Sequence, residues 1–312
     1  MATGRTTYYD ALIGACAGRP PLRTAVVHPV QHSVFEAVDQ AVAAGLIAPV
    51  LIGPAQRIAT ALAAAGHGPS DYEIVDTEHS HAAAERAAQM AGKGQVGAIM
   101  KGSLHSDEVL GAVLDPAAGL RTERRMSHAF VMLTDDYPRP FIITDAALNI
   151  APDLPAKADI LSNAIGLWRV LYGEGPPRAA VLAAVETVNP KMQATLDAAA
   201  LCKMADRGQI AGSLLDGPLA FDNAVSEAAA KEKGIVSPVA GRADILLVPD
   251  IESGNMLAKQ LIFMGSADAA GIVLGARVPI MLTSRADSVR ARLLSCALAV
   301  LMAEGRAKGA VK

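Results

Sequence analysis

Near the C-terminus an apolar run, Pro279-Ile280-Met281-Leu282, leads straight into Thr283-Ser284-Arg285-Ala286-Asp287-Ser288 and then into a helical pattern. Hydroxyls, a guanidinium and a carboxylate thus fall together between a strand and a helix. The unpaired backbone N–H groups of a helix start favour an anion, and a guanidinium holds two oxygens of one phosphate at once. Thr283, Ser284 and Arg285 are therefore candidates for a phosphate site, with Asp287 as the adjacent carboxylate. The same residues also fit a plain helix start, with Ser284 or Asp287 as the N-cap and Arg285 a surface charge. The local pattern leaves both readings open.

Other chemically capable residues also lie at the ends of apolar runs. Lys101-Gly102-Ser103-Leu104-His105 follows Val96–Met100. The carboxyl ends of strands are where open α/β sheets bind ligands, so Lys101, Ser103 and His105 are candidates to touch phosphate or a carbonyl. A lone histidine there equally suits capping or packing. Thr144 and Asp145 follow Phe141–Ile143 and read either as ligand contacts or as a turn cap. Gly254 and Asn255 follow the polar stretch Asp250–Ser253. The glycine lets backbone approach a ligand and the asparagine caps a helix or contacts that ligand, unless the segment is only a loop. Asp216 and Asp222 suit a metal or the capping of turns. The basic spot Arg121–Arg125 is a solvated face or an anion contact.

Bulk composition narrows the options. A net charge of −3 argues against a nucleic-acid surface. Cys16, Cys202 and Cys296 are far apart and show no zinc spacing, which fits a reducing compartment and a cytoplasmic location. No signal peptide or membrane span is expected. There is no GxGxxG at the first strand–helix turn, no P-loop and no GxSxG elbow, so the usual dinucleotide, nucleotide-hydrolysis and serine-hydrolase modes lose ground. No metal ligand set is expected.

The elements that must position these residues alternate. Strands are predicted at 24–27, 49–53, 73–75, 96–100, 180–185, 245–249, 270–274 and 279–282, with helices between most of them. A strand pair at 129–133 and 141–144 around Asp135-Asp136-Tyr137-Pro138 reads as an antiparallel hairpin. Helices are predicted over 106–114 with Ser106 as N-cap, 155–172, 190–205 with Pro190 in the first turn, 255–264, and from about 287 to 306. Alternation of this kind means right-handed βαβ units with helices on both faces of parallel sheets. The 312 residues, 52% of them hydrophobic, suit two domains, and the break falls near 145–155. The expected class is α/β, two αβα domains with a cleft between them.

Taken together these segments resemble the phosphate acetyltransferase/phosphate butyryltransferase family. The resemblance is carried by Lys101–His105, Ile143–Ala147, Asp216–Leu219, Pro249–Asn255, Gly275–Pro279 and Thr283–Ser288. It implies an isocitrate/isopropylmalate dehydrogenase-like fold. It also implies a discontinuous first domain, 1–147 plus about 286–312, around a second at about 148–285, and a homodimer or larger homo-oligomer. The implied reaction is acyl-CoA plus phosphate giving acyl phosphate plus CoA, by direct transfer in a ternary complex. Coenzyme A is then a substrate, and no cofactor is implied. Ser284 and Arg285 match the pair that contacts phosphate and the transition state. The acetyl branch carries its basic aspartate at a spacing that falls near 289–291, where this chain has Arg290, so Asp287 is the nearest carboxylate. The acetyl branch also has an arginine near Phe263. The SRADS and KGSLH segments lean toward the butyryl-like branch, and acyl groups from acetyl to butyryl are expected. Two other readings use the same fold: a metal- and NAD-dependent hydroxyacid dehydrogenase, and a non-catalytic acyl-CoA/phosphate binding protein.

Overall fold

The computed structural model describes residues 4–68, 70–173, 175–282 and 287–311, with side chains from Tyr8 onward. The chain divides into two compact units. The first comprises Tyr9–Arg124 and Ala270–Lys308; the second comprises Met1–Tyr8, Arg125–Ala269 and Gly309–Lys312. These crossings, at 124/125 and 269/270, differ from the 147/148 and 285/286 expected from sequence. The hairpin strands 127–144 belong with the second unit and the strands at 268–281 lead back into the first.

Helix α1 (Gly4–Ala15) opens the described chain. The first unit then runs β1 (Leu22–Val27), α2 (His32–Ala43), β2 (Ile47–Gly53), α3 (Ala55–Ala64), β3 (Glu73–Asp76), α4 (Ser80–Gly92), β4 (Ala98–Lys101) and α5 (Ser106–Leu114). The second unit contributes β5 (Ser127–Leu133), β6 (Phe141–Thr144), α6 (Leu154–Tyr172), β7 (Arg178–Leu182), α7 (Gln193–Asp206), β8 (Leu214–Leu219), α8 (Phe221–Val225), α9 (Glu227–Glu232), β9 (Ile245–Leu247) and α10 (Ile251–Phe263). The chain returns through β10 (Asp268–Leu274), β11 (Ile280–Met281) and α11 (Val289–Ala307).

In the first unit the strands lie in the order β3-β2-β1-β4-β11-β10. All neighbours are parallel except β10 and β11. From β1 the chain steps outward to β2 and β3, then returns to place β4 on the other side of β1. Right-handed crossovers then send the loops after β1 and β4 apart, which opens a crevice at their carboxyl ends. The inner strands are near-continuous apolar runs, Ala25-Val26-Val27 and Val50-Leu51-Ile52, as strands buried on both faces require. Phe35, Val38 and Ala41 form the buried stripe of α2, at helical spacing. Ala83, Ala84, Ala87, Ala88 and Ala91 do the same for α4, and small side chains let it lie close to β1 and β2.

The second unit has the order β5-β6-β9-β7-β8. The β5–β6 pair is antiparallel, as the hairpin pattern predicts, and the others are parallel. Its core gathers Met132, Phe141, Ile143, Leu219, Val239, Leu246 and Val248. No described helix is long and apolar enough to cross a membrane.

Two predicted helix starts are corrected. Helix α10 starts at Ile251, not Asn255, because Asp250 caps it: its carboxylate accepts from Ser253 N at 2.8 Å. Helix α7 starts at Gln193 rather than Pro190, since Asn189–Met192 is taken up by a turn that Thr195 Oγ1 ties down through Asn189. Asp216-Gly217-Pro218 lies inside β8. A Cβ on Gly217 would stand 2.8 Å from Val181 O, so the glycine is what lets β8 lie against β7 here.

Candidate functional site

Two groups of the sequence-selected residues are brought together, one in each unit. In the first unit β4 ends at Lys101, whose ammonium lies 3.4 Å from Leu104 O. Gly102 N donates to Val27 O at 2.9 Å and Ser103 N to His28 O at 3.0 Å, so the turn after β4 is stitched to the end of β1. A Cβ on Gly102 would sit 2.4 Å from Val27 O, and no larger residue fits this approach. The Ser103 hydroxyl is enclosed and has no hydrogen-bond partner among the described residues. His105 is exposed and is itself the N-cap of α5, displacing the predicted Ser106. Its N–H donates to Glu108 Oε1 at 3.1 Å. Glu108 also accepts from Ser80 Oγ and faces His81 at 3.4 Å. Burial raises the Glu108 carboxyl, but these partners outweigh it and hold the group below its ordinary range.

Strand β11 runs parallel to β4, with Met281 opposite Met100. The chain therefore leaves β11 at the same sheet edge from which Lys101 leaves β4. Thr283, Ser284 and Arg285 come next and lie outside the described residues. Asp287 is half-buried, one residue before Ser288, the N-cap of α11. Ser288 Oγ accepts from Ala291 N at 3.1 Å, so the capping role weighed for Ser284 or Asp287 belongs to Ser288.

In the second unit, Thr144 and Asp145 are 0% and 2% exposed. Thr144 Oγ1 donates to His128 O at 2.9 Å. The Asp145 carboxylate accepts from Ala147 N and Leu148 N at 3.0 Å, Asn149 N at 3.3 Å and Asn149 Nδ2 at 2.6 Å. It folds the whole 145–149 loop around itself. The first turn of α10 packs onto this loop. A Cβ on Gly254 would meet Asp145 O at 2.8 Å and Val248 Cγ2 at 2.7 Å. Asn255 Nδ2 donates to Ala146 O at 3.1 Å. Thr144, Asp145, Gly254 and Asn255 thus form one joint, and these contacts hold backbone in place.

Phe263 is 68% exposed at the end of α10, with Met264 beside it also exposed, so it is not a core residue of the described chain. Burial raises all three thiols, Cys16 to about 11 and Cys202 and Cys296 to about 12, so none is a thiolate at neutral pH. Asp216 accepts from its neighbour Gly217 N. Among the described residues no group of three or more His, Cys, Asp or Glu side chains is placed to hold a metal.

Sequence reading passed over two histidines. His28 follows β1, and His128 lies on β5 with its ring 4.4 Å from that of Phe130. His128 is buried and its Nδ1 lacks a partner among the described residues. Burial drives its pKa well down, against the weaker opposing pull of the Asp145 charge. With the folded value below the unfolded value of about 6.5, the unfolded chain binds the proton first. Stability is then unpenalised above that value and falls as pH drops below it. Between pH 7.5 and 5.0 the parent is expected to lose about 2 kcal/mol more than His128→Leu in urea melts. Coincident pH dependences would remove His128 from the acid response.

Parallel sheets with ligand-ready turns at their carboxyl edges are the architecture of α/β enzymes that hold small molecules at strand ends. Comparison with known proteins narrows the class. Residues 78–300 match the family described as "Phosphate acetyl/butaryl transferase". The chain is 55% identical over 298 residues to a phosphate acetyltransferase of Rhizobium meliloti, covering 96% of this chain and 94% of the relative. It is 41% identical to a phosphate butyryltransferase of Clostridium acetobutylicum, covering 95% and 98%. Its fold matches the crystal structure of a branched-chain phosphotransacylase from Enterococcus faecalis V583 with a TM-score of 0.78 at 28% identity, over 90% of this chain and 99% of that one. The chain belongs to the phosphate acetyl/butyryl transferase family of acyltransferases.

Proposed function

We propose that the protein transfers a short acyl group between coenzyme A and inorganic phosphate by direct transfer in a ternary complex, with acetyl-CoA the preferred substrate. The observation that carries this reading is the 55% identity, along nearly the whole chain, to a phosphate acetyltransferase. The lower identity to a butyryltransferase supports acetyl over butyryl. One methylene in an apolar pocket is worth only about 1–3 kcal/mol, so propionyl- and butyryl-CoA are slower substrates rather than excluded ones.

In the chemical step a phosphate oxygen attacks the thioester carbonyl carbon. The new carbon–oxygen bond forms, the carbon–sulfur bond breaks, and the sulfur leaves as thiolate and takes a proton. Arg285 holds two phosphate oxygens, and Ser284 donates to the developing oxyanion, a contact worth about 3 kcal/mol of barrier. Asp287 takes the proton that the attacking hydrogen phosphate loses and passes it to the departing sulfur and, in reverse, accepts the proton of the CoA thiol. Lys101 and Ser103, at the same edge as the end of β11, add a cation and a hydroxyl. Thr144, Asp145, Gly254 and Asn255 act on substrate only through the backbone they hold, and His105 acts as the cap of α5.

The test is phosphate-dependent release of CoA from acetyl-, propionyl- and butyryl-CoA. Release should be fastest with acetyl-CoA and absent without phosphate. Arsenate should replace phosphate and drain acyl-CoA, since acyl arsenates hydrolyse. No thiol release with any of the three would overturn the reading, and butyryl-CoA as the best substrate would overturn the acetyl preference.

A further inference from the structure

The end of β1 carries a histidine in an unusual position. His28 has φ of 54°, in the left-handed region that few non-glycine residues enter. It is only 5% exposed. Both its backbone and its ring engage one residue of the opposite loop. His28 O accepts from Ser103 N at 3.0 Å, and His28 Nδ1 lies 3.0 Å from Ser103 O. A carbonyl oxygen only accepts, so Nδ1 carries the proton and donates. The peptide groups on both sides of the Ser103 Cα are therefore gripped by one residue. That residue sits across the point where the strand order reverses, between β1 and β4. The crevice of an open α/β sheet forms there. The hydroxyl of Ser103 meanwhile has no partner among the described residues, so none of them consumes it.

We infer that His28 is a positioning residue for the acyl transfer: its ring and carbonyl clamp the Ser103 backbone so that the Ser103 hydroxyl is held for the substrate at the β1/β4 crevice. The inference rests on the reading of Ser103 as a substrate contact. The clamp uses Nδ1–H, which is present in both the neutral and the protonated ring, so it does not depend on the charge of His28. The Nε2 lone pair, which also lacks a partner among the described residues, is not part of it.

Asparagine and glutamine separate the two ring nitrogens. In His28→Asn the new amide nitrogen falls near the place of Nδ1, and asparagine tolerates the left-handed backbone. In His28→Gln the longer side chain carries its amide to the place of Nε2 and leaves the clamp open. Steady-state kinetics with acetyl-CoA and phosphate would be measured for His28→Ala, His28→Asn, His28→Gln, Ser103→Ala and the double variant His28→Ala/Ser103→Ala, with thermal melts for each. Ser103→Ala and His28→Ala are expected to lower kcat/KM by about tenfold, the scale of one lost hydrogen bond to substrate. The double variant should be no worse than Ser103→Ala alone, because both act through one hydroxyl. His28→Asn should stay within about threefold of the parent with the same pH profile, and His28→Gln should resemble His28→Ala. If His28→Asn falls as far as His28→Ala, or if its pH profile shifts, the Nε2 lone pair matters and the positioning role is overturned. If the two losses multiply in the double variant, His28 does not work through Ser103. A Ser103→Ala variant at parental rates would instead sink the assignment of Ser103, whereas a parent without CoA release would sink the proposed reaction itself.

Discussion

Arg285→Ala is expected to lower kcat for phosphate-dependent CoA release by about 10²–10³-fold, with the melting temperature unchanged. The attacking phosphate brings negative charge to a carbonyl that itself becomes an oxyanion. A bidentate guanidinium neutralises that charge and fixes the line of attack. Arg285→Lys should recover only part of the loss, because an ammonium supplies charge without the planar fork. Ser284→Ala should fall less, since it removes one neutral donor, and the two losses should not add if both groups serve one transition state. The effect should appear in kcat as well as in KM for phosphate. A variant that only weakens phosphate binding, with kcat intact, would make Arg285 a ground-state anchor. Parental kinetics in Arg285→Ala would remove this segment from the site.

The second large effect is on stability. Asp145→Ala is expected to cost about 3–5 kcal/mol in urea-induced unfolding, the range seen when one side of a buried charged network is removed. The carboxylate accepts from the N–H groups of Ala147 and Leu148, and it also takes the N–H and side-chain amide of Asn149. Without it those donors are left in a closed space. Asp145→Asn should cost less but still be costly, because one of its two polar atoms becomes a donor facing other donors. The loop carries Ala146, whose carbonyl receives Asn255, so the start of α10 should loosen as well. Amide exchange in Ser253–Asn255 would report that coupling. A loss below about 1 kcal/mol would mean the loop is held by other contacts.

Much of the scaffold follows from local chemistry. The hairpin of β5 and β6 is set by two apolar runs about a short polar turn, and α5 begins and ends where its polar start and apolar periodicity place it. Local rules failed where a residue does two jobs. Asn255 reads as the start of a helix with Gly254 before it, yet α10 begins at Ile251 and takes in both. The glycine is there for clearance from Asp145 O, and that neighbour is 109 positions away in sequence. Gly217 likewise serves close approach, to Val181 in the neighbouring strand.

The candidate site divides in the same way. Lys101, Ser103, Ser284 and Arg285 stand out as candidates because hydroxyls and cations beside apolar runs suit an anion, Asp287 is the adjacent carboxylate, and the family resemblance adds weight to the pair Ser284-Arg285. The short motifs lean to the butyryl-like branch, while over the whole chain the identity is 55% to a phosphate acetyltransferase and 41% to a phosphate butyryltransferase.

Sequence by itself determined the α/β class, the alternation of elements and the residue types available for acyl transfer, because those depend on periodicity, turn chemistry and side-chain functional groups within a few residues. Tertiary structure alone decided that Asp145 is a loop anchor, that Ser288 rather than Asp287 caps α11, and that His28 grips Ser103 across the β1/β4 edge. Each of these is a hydrogen bond whose meaning depends on which partner the fold delivers. For His28 that partner lies 75 residues further along the chain.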